Sequence, residues 1–380
     1  MRAKKFSVVA SICLLAAGCA SPFATGTAGA GVAKTTNGGN DWVFANKATL
    51  PSTAKKKAKQ TDSPLASGSV FSLRFAPENT KKLYAATQTN GVFLTDNAAD
   101  SWSQILSDFA AYDMVVDPTN PERIFVAGRA QNQAKVLVSE NGGKSWESVY
   151  TDAAAGNIAR SIAIDPADSK TLVVGTTAGN LLLSRDAGTT WSLLQNFQDQ
   201  VTQLIWHKNR TLFILTKSKG LYKSADRATT IESISKPLLD FSEWQKRLRE
   251  LNPLQDDTTV AEIEIPTQPT NTFYKVAIGD NPAQIFVGAN NGLFSSADGG
   301  ENWQYMKLPI RSADATEVRG LALGSESGVV YASVGNTLYK TTNAGSSWQV
   351  TAIATSATIN YILVDSTLSS VAYMGFIGTR

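Results

Sequence analysis

The chain has 380 residues, 43% of them apolar and 18% charged, so it can bury a substantial core and is not a disordered polymer. Its 35 basic and 32 acidic residues give a net charge of +3. Three of the basic residues, Arg2, Lys4 and Lys5, lie in a stretch typical of a cleaved leader, and without them the charge is zero. This balance argues against a nucleic-acid-binding protein. One His and two Cys argue against a zinc site and a disulfide framework, and we expect no cofactor.

Residues 1–18 are predicted to be a signal peptide. After the basic residues comes an apolar run, Phe6–Ala17, which is too short to span a bilayer. The sequence LAAGC that ends at Cys19 resembles the lipobox of bacterial lipoproteins, which implies cleavage after Gly18 and lipidation of Cys19. The alternatives are an ordinary secretory signal and a buried N-terminal strand.

Residues 19–30 are small, polar and Gly-containing, which predicts a flexible tether. The eleven residues 20–30 reach at most about 40 Å, so a lipid on Cys19 would keep the following domain close to its membrane. We therefore expect a location in the cell envelope. In a cell with two membranes, Ala20 directly after Cys19 favours the outer membrane.

An eight-residue unit recurs along the chain and is the main indication of the fold. Ser184-Arg-Asp186-Ala-Gly188-Thr-Thr-Trp191 is one copy, and two copies are degraded, with Ala in place of the Gly and, in one of them, Ile in place of the Trp. Six of the eight Trp residues occupy the last position of this unit. Its third position is held by Asn37, Asn97, Asn141, Asp186, Asp226, Asp298 and Asn343.

This unit resembles the Asp-box, or BNR repeat, of sialidases, sortilin-type receptors and some glucan hydrolases. The resemblance implies a structural role, in which the Asn or Asp side chain caps a tight hairpin turn and Gly adopts a positive φ. These residues are therefore expected to support a fold and to decide no function.

Four short apolar runs accompany each unit, and most units are 40 to 45 residues apart. This pattern predicts the blades of an all-β propeller over residues 31–380. The 32 residues after Trp348 hold two strands and no unit, whereas the segment from Gly31 to Trp42 holds one strand and a unit. Together they make one repeat, so we predict seven blades closed by pairing of N- and C-terminal strands. Six or eight blades remain possible if the degraded copies mislead.

Two insertions, at about 46–67 and 236–272, are predicted on the face opposite the repeat turns, where the tether also leaves. The first contains Lys55 to Lys59, which could rest on anionic lipid or be a solvated loop. The second contains the one predicted helix, with an apolar stripe that includes Trp244. This stripe could pack on the propeller or dock a partner.

Alignment of the repeats places seven residues at the start of each first strand, around the mouth of the central channel on the insertion face. They are Phe71, Tyr112, Arg160, Thr202, Tyr274, Arg319 and Asn360. Three aromatics and two Arg are typical of a protein-binding surface. Together with Trp244 they are the predicted partner site, although some could simply pack between blades.

An enzymatic site is not indicated. The Arg-Ile-Pro motif of sialidases is absent, and Asp117 and Asp165 lie in predicted turns. The remaining carboxylates near the insertion face, Asp113, Glu317, Asp256 and Asp257, show no pairing by spacing. The lone His207 is predicted to be structural.

The mature chain resembles the photosystem II stability and assembly factor-like family, in which a single seven-bladed propeller is often membrane-tethered. The resemblance implies a monomeric, non-enzymatic scaffold that binds a protein partner at or near a membrane. The alternative is an envelope propeller that binds or hydrolyses glycans, as sialidases and glucanases do.

Overall fold

The computed structural model describes residues 31–49, 60–240, 246, 269–310 and 316–378. Two strands open the described chain, β1 (Gly31–Thr35) and β2 (Val43–Phe44), and a 3-10 turn, Pro64–Ser67, follows. The predicted signal peptide, the tether, Cys19, Lys55 to Lys59, Trp244 and Asp256 with Asp257 lie outside the described residues, as does the predicted helix apart from Lys246.

Seven four-stranded antiparallel sheets form the blades of a β-propeller, as predicted. Blade 1 contains β3 (Val70–Ala76), β4 (Asn79–Thr87), β5 (Gly91–Thr95) and β6 (Ser103–Leu106). Blade 2 contains β7 (Ala110–Val116), β8 (Ile124–Ala130), β9 (Gln133–Ser139) and β10 (Glu147–Ala155). Blade 3 contains β11 (Ala159–Asp165), β12 (Asp168–Thr176), β13 (Asn180–Ser184) and β14 (Ser192–Asn196).

The second half of the ring repeats this order. Blade 4 contains β15 (Val201–Trp206), β16 (Leu212–Thr216), β17 (Leu221–Ser224) and β18 (Glu232–Ser233), and a short helix, α1 (Lys236–Leu239), follows it. Blade 5 contains β19 (Phe273–Ile278), β20 (Ile285–Ala289), β21 (Gly292–Ser296) and β22 (Gln304–Met306). Blade 6 contains β23 (Val318–Leu323), β24 (Val330–Val334), β25 (Thr337–Thr341) and β26 (Gln349–Ala352).

Blade 7 is assembled from both ends of the chain. It contains β27 (Thr358–Val364) and β28 (Ala372–Ile377) as inner strands, with β1 and β2 outside them. The register of β1 on β28 runs from Gly31 opposite Phe376 to Thr35 opposite Ala372. The predicted closure is therefore confirmed, and it completes the four-stranded blade between blades 6 and 1.

The core lies between blades. Each neighbouring pair of blades shares one apolar cluster, such as the one that joins Phe213 and Leu215 of blade 4 to Phe273 and Val287 of blade 5. The second strands are the most deeply buried, and β16, β20 and β24 are buried at every residue. Their β-branched and aromatic side chains suit strands that are covered on both faces.

The seven repeat turns share one hydrogen-bond pattern, degraded copies included. In blade 3, the Ser184 hydroxyl donates to Asp186 Oδ1 (2.8 Å) and accepts from the Gly188 amide (2.8 Å), while the Thr190 amide donates to the same Oδ1 (2.8 Å). In the degraded turn of blade 4, Ser224, Asp226 and the Ala228 and Thr230 amides make the same bonds at 2.8 to 3.0 Å. The side-chain oxygen thus holds a loop whose amides would otherwise lack partners.

In four of the units, the Trp at the last position donates a hydrogen bond to the end of the preceding blade; these are Trp102, Trp146, Trp191 and Trp303. Trp303 Nε1 donates to the carbonyls of Gly300 (3.0 Å) and of Ile234 (3.2 Å), the latter following the last strand of blade 4. Trp191 bonds in the same way to Gly188 (2.9 Å) and to Val149 in blade 2 (3.1 Å). The repeat unit therefore acts as a clamp between blades.

Candidate functional site

Every blade carries a bulge at the same place in its first strand. The pairing of β11 with β12 passes from Ala159 to Ser161 and leaves Arg160 without an opposite residue. The same one-residue shift occurs in the other six blades, where it leaves out Phe71, Tyr112, Thr202, Tyr274, Arg319 and Asn360. Since a bulge re-aims the side chain of its extra residue, the fold presents seven side chains in one ring.

These seven residues line one cavity of about 440 Å³ at the end of the central channel. They are the positions that the sequence predicts for the channel mouth, and the structure brings all of them together. We call this cavity the mouth. Ile377, whose neighbour Phe376 pairs with Gly31, also lines it, so the chain enters the propeller on this face.

Cations stack on aromatic rings around the mouth. The Arg160 guanidinium lies 4.6 Å from the ring centre of Phe71 and 5.0 Å from that of Tyr112. The Arg319 guanidinium lies 4.3 Å from the ring centre of Tyr274 and donates two hydrogen bonds to Glu317 (2.7 and 2.9 Å). Such stacking holds a guanidinium in a fixed orientation while part of it stays open to a ligand.

A second layer lies deeper in the channel, and sequence analysis missed most of it. Arg74, Gln203, Lys275 and Tyr361 line both the mouth and a second cavity of about 580 Å³ that opens towards the repeat turns. Gln203, Lys275 and Tyr361 directly follow the bulged residue of their strands, and Arg74 lies two residues beyond the equivalent position in blade 1. The four differ in residue type, so repeat alignment alone does not single them out.

Asp113 is the centre of this layer and is buried. Its Oδ1 accepts from the Ser72 hydroxyl (2.8 Å) and from Arg74 Nη2 (3.0 Å) of blade 1, and its Oδ2 accepts from the Ser161 hydroxyl (3.0 Å) and the Ile162 amide (3.2 Å) of blade 3. One carboxylate thus joins three blades. Its hydrogen bonds to donors on three blades give this carboxylate a structural role.

Lys275 faces into the channel with its Nζ 3.9 Å from the ring centre of Tyr361. Burial, together with the nearby positive charges of Arg74 and Arg160, lowers the pKa of Lys275 to about 7. For Arg74, burial disfavours the charge, but Tyr361 and Asp113 outweigh it and raise the pKa. The channel therefore concentrates positive charge in a confined space.

The lower cavity is mainly apolar and includes Val115, Ala163, Ile205, Ala277 and Leu321. Its rim holds His207, whose Nδ1 pairs with Asn209 Oδ1 (2.8 Å) and whose Nε2 lies 3.1 Å from the Gly279 carbonyl of blade 5. This position agrees with the predicted structural role of His207.

The other carboxylates named from the sequence are held by neighbours. Asp117 and Asp165 are fully buried in turns; Asp117 accepts from the Thr119 amide (2.8 Å), and Asp165 pairs with Arg210. Burial would raise the pKa of Glu317, but hydrogen bonds from Arg319 and Tyr274 lower it. Glu317 is therefore stabilised as an anion by its donors, which does not suit a general acid.

In the described ranges, no three His, Cys, Asp or Glu side chains come together as a metal site would require. No described helix has the length and apolar character needed to cross a bilayer.

Comparison with known proteins gives distant matches. The model of the DUF6242 beta propeller domain family matches residues 115–240. The xyloglucanase Xgh74A of Acetivibrio thermocellus is 23% identical over 200 residues, which are 40% of this chain and 24% of that enzyme. This chain therefore spans about a quarter of the length of that relative.

Two solved structures illustrate the likeness. The GH74 xyloglucanase of Xanthomonas campestris matches with a TM-score of 0.62 and 16% identity, over 82% of this chain and 51% of that one. YCF48, in a structure bound to a D1 peptide, matches with a TM-score of 0.58 and 14% identity, over 82% of this chain and 94% of that one. At such identities the likeness shows the β-propeller fold alone.

Proposed function

We propose that this protein is a membrane-tethered, non-enzymatic propeller whose mouth binds a protein partner and assists the assembly or stability of a membrane-associated complex. The observation that carries the proposal is the ring of seven bulged residues, because it gathers aromatic and Arg side chains in one cavity. Rigid blades hold these side chains in place, so little conformational entropy is lost on binding.

The size of the similar proteins supports this reading. The YCF48 structure, which holds a D1 peptide, matches this chain over nearly its whole length, whereas the xyloglucanase structure contains about as much chain again as the part that matches. In chain length, this protein is thus more similar to the single propeller that binds a peptide than to the xyloglucanase.

Membrane tethering is proposed from the LAAGC sequence that ends at Cys19. In the structure, Gly31 enters β1 beside the mouth, and its amide donates to the Gly68 carbonyl (3.0 Å) in the first insertion. A tether that ends there would hold the mouth towards the bilayer, within about 40 Å. A membrane-associated partner is therefore favoured.

Glycan binding or hydrolysis is the second candidate, and the match to xyloglucanases favours it. Hydrolysis needs two carboxyl groups across a sugar-sized gap, one of them with a raised pKa. Among described residues, Asp113 is the one carboxylate that lines the mouth, and five hydrogen bonds occupy it. This arrangement favours the binding function over hydrolysis.

The test is capture of the partner from the protein's own cells by cross-linking. Arg160→Ala combined with Arg319→Ala should reduce capture roughly tenfold or more, since two stacked Arg contacts are lost, while the melting temperature stays near that of the wild type. Trp244→Ala should also reduce capture if the second insertion takes part.

The matched control removes two Arg side chains from the opposite face. Arg185 and Arg227 lie in repeat turns, and Arg227 makes a long surface ion pair with Asp168 (3.9 Å), which contributes little to stability. Arg185→Ala with Arg227→Ala should leave capture unchanged. Cross-links that map mainly to the repeat turns would contradict the proposal, as would release of sugars from xyloglucan by the purified protein.

A further inference from the structure

Two cations in the channel have no counter-charge of their own. Within the described part of the chain, the Arg160 guanidinium donates no hydrogen bond and makes no ion pair, and neither does the Lys275 ammonium; these groups contact the rings of Phe71, Tyr112 and Tyr361. Burying a charge without a partner is costly. A site that keeps two such charges in one cavity is therefore suited to an anion.

The neighbouring groups cannot supply that anion. Asp113 already accepts five hydrogen bonds, from Ser72, Arg74, Met114, Ser161 and Ile162. Glu317, the other carboxylate close to the ring, is bound to Arg319 through two hydrogen bonds. A further negative charge near Arg160 and Lys275 would have to come from a bound molecule.

The cavity fits such a group in size and lining. Its volume is about 440 Å³, and Arg74, Arg160, Lys217, Lys275 and Arg319 contribute five cations against the single carboxylate of Asp113. A guanidinium and an ammonium suit the oxygens of carboxylates and phosphates. Low-dielectric aromatic walls strengthen such contacts.

We propose that the channel contains an oxyanion site, in which Arg160 and Lys275 bind a carboxylate or phosphate group between the mouth and the Asp113 layer. Arg74, whose guanidinium is held by Asp113 and Tyr361, adds positive charge without contacting the ligand. This site goes beyond partner docking, since it selects one chemical group and does not require a protein to deliver it.

Titration with inorganic phosphate tests the site. Phosphate should raise the melting temperature and bind in calorimetry, whereas sodium chloride of equal ionic strength should not reproduce the effect. Lys275→Met and Arg160→Gln should each weaken phosphate binding roughly tenfold or more, since a charge-assisted contact is lost. Lys144→Met, which removes an exposed cation from a repeat turn, is the matched control and should bind phosphate as the wild type does.

A second measurement keeps the proposal independent of folding effects in the variants. In the wild-type protein, NMR of labelled lysine side chains should show the pKa of Lys275 rising from about 7 on addition of phosphate, because an adjacent anion favours the ammonium form. The groups facing Lys275 are Arg74, Asp113, Arg160 and Tyr361. An unchanged Lys275 titration, or equal phosphate binding by Lys275→Met, would overturn the site.

Competition identifies the source of the oxyanion. If phosphate blocks capture of the partner, the partner delivers an acidic group into the site. If phosphate and succinate bind while capture is unaffected, a free small anion is the ligand. Both results support the site, and failure of capture alone would count against the proposed function and not against the oxyanion site.

Discussion

Residues at equivalent positions of the seven first strands differ in their charge and in their hydrogen bonds. The seven first strands place one residue after each bulge at the same level of the channel, yet only two of these are charged, Asp113 and Lys275. Asp113 is surrounded by donors and joins blades. Lys275 has a lowered pKa, and among the described residues its ammonium has no hydrogen-bond acceptor. The same polar layer thus contains the Asp113 carboxylate, which hydrogen bonds hold between blades, and the Lys275 amine, which can still bind a ligand.

Lys275 should make stability depend on pH in a defined window. Its pKa is about 7 in the folded protein against an ordinary value of 10.5, so between these values the unfolded chain binds the proton more readily. Stability should therefore rise as pH increases from about 7 towards 10, by this group's contribution. Urea unfolding of the wild type and of Lys275→Met across this range measures it.

The difference between the two unfolding curves isolates Lys275 from other titrating groups. The variant should lose the upward slope and be the more stable protein below pH 7, where the buried ammonium is costly in the wild type. Parallel curves for the two proteins would show that Lys275 titrates as an exposed lysine does.

At the scale of elements, the repeat turn and its Trp connect one blade to the next. The degraded turns keep this architecture because the bonds depend on the Ser or Thr hydroxyl and the Asn or Asp oxygen, which both copies retain. The missing Gly is tolerated at a cost, since Ala99 and Ala228 adopt φ values of 68° and 63°. The hydroxyl and the Asn or Asp oxygen therefore matter more than the Gly for forming this turn.

Trp303 and Trp348 offer a matched comparison of this clamp. Trp303 Nε1 donates two hydrogen bonds, whereas the buried Trp348 Nε1 has no acceptor in the described structure. Trp303→Phe should lower the free energy of unfolding by about 1–3 kcal/mol, since two carbonyls lose a donor. Trp348→Phe should cost clearly less, and equal losses in denaturant melts of the two variants would show that the indole hydrogen bonds of Trp303 add nothing to stability.

Closure of the ring depends on four strands from two ends of the chain. Deletion of residues 359–380 removes β28 and nearly all of β27, so β1 loses five paired residues and blades 1 and 6 lose a neighbour. The truncated protein should aggregate or fail to show a cooperative melt. Removal of residues 379–380 alone is the control, and a normal melting temperature for the longer deletion would be incompatible with this closure.

At the scale of the whole molecule, sequence periodicity predicts the blade number, the joint between the ends and the seven mouth residues. It succeeds because a repeat fixes equivalent positions, so Phe71 and Asn360 can be aligned without knowing their contacts. It fails for Arg74, Lys275 and Tyr361, whose proximity arises only when the ring closes, with Arg74 and Tyr361 bonded across 287 residues. The repeat alone therefore does not predict how the charges in the channel are arranged, because they come together only when the ring closes.

Anchoring is a separate prediction at this scale. Cys19→Ser should release the protein into the soluble envelope fraction or leave its leader uncleaved, because the acyl chains of a lipoprotein anchor are lost. Membrane fractionation with mass analysis of the N-terminus measures it. Unchanged membrane association of a processed Cys19→Ser protein would show that something other than lipid holds it.

The position of β1 has a mechanical consequence. A pull on the chain preceding Gly31 acts along a strand that is hydrogen-bonded to β28 on one side and β2 on the other. Such a load is shear, which strains all the paired residues of the strand at once, whereas a load on a terminal outer strand would open its bonds one after another. Blade 7 would thus transmit a force applied at Gly31 into the ring without unzipping.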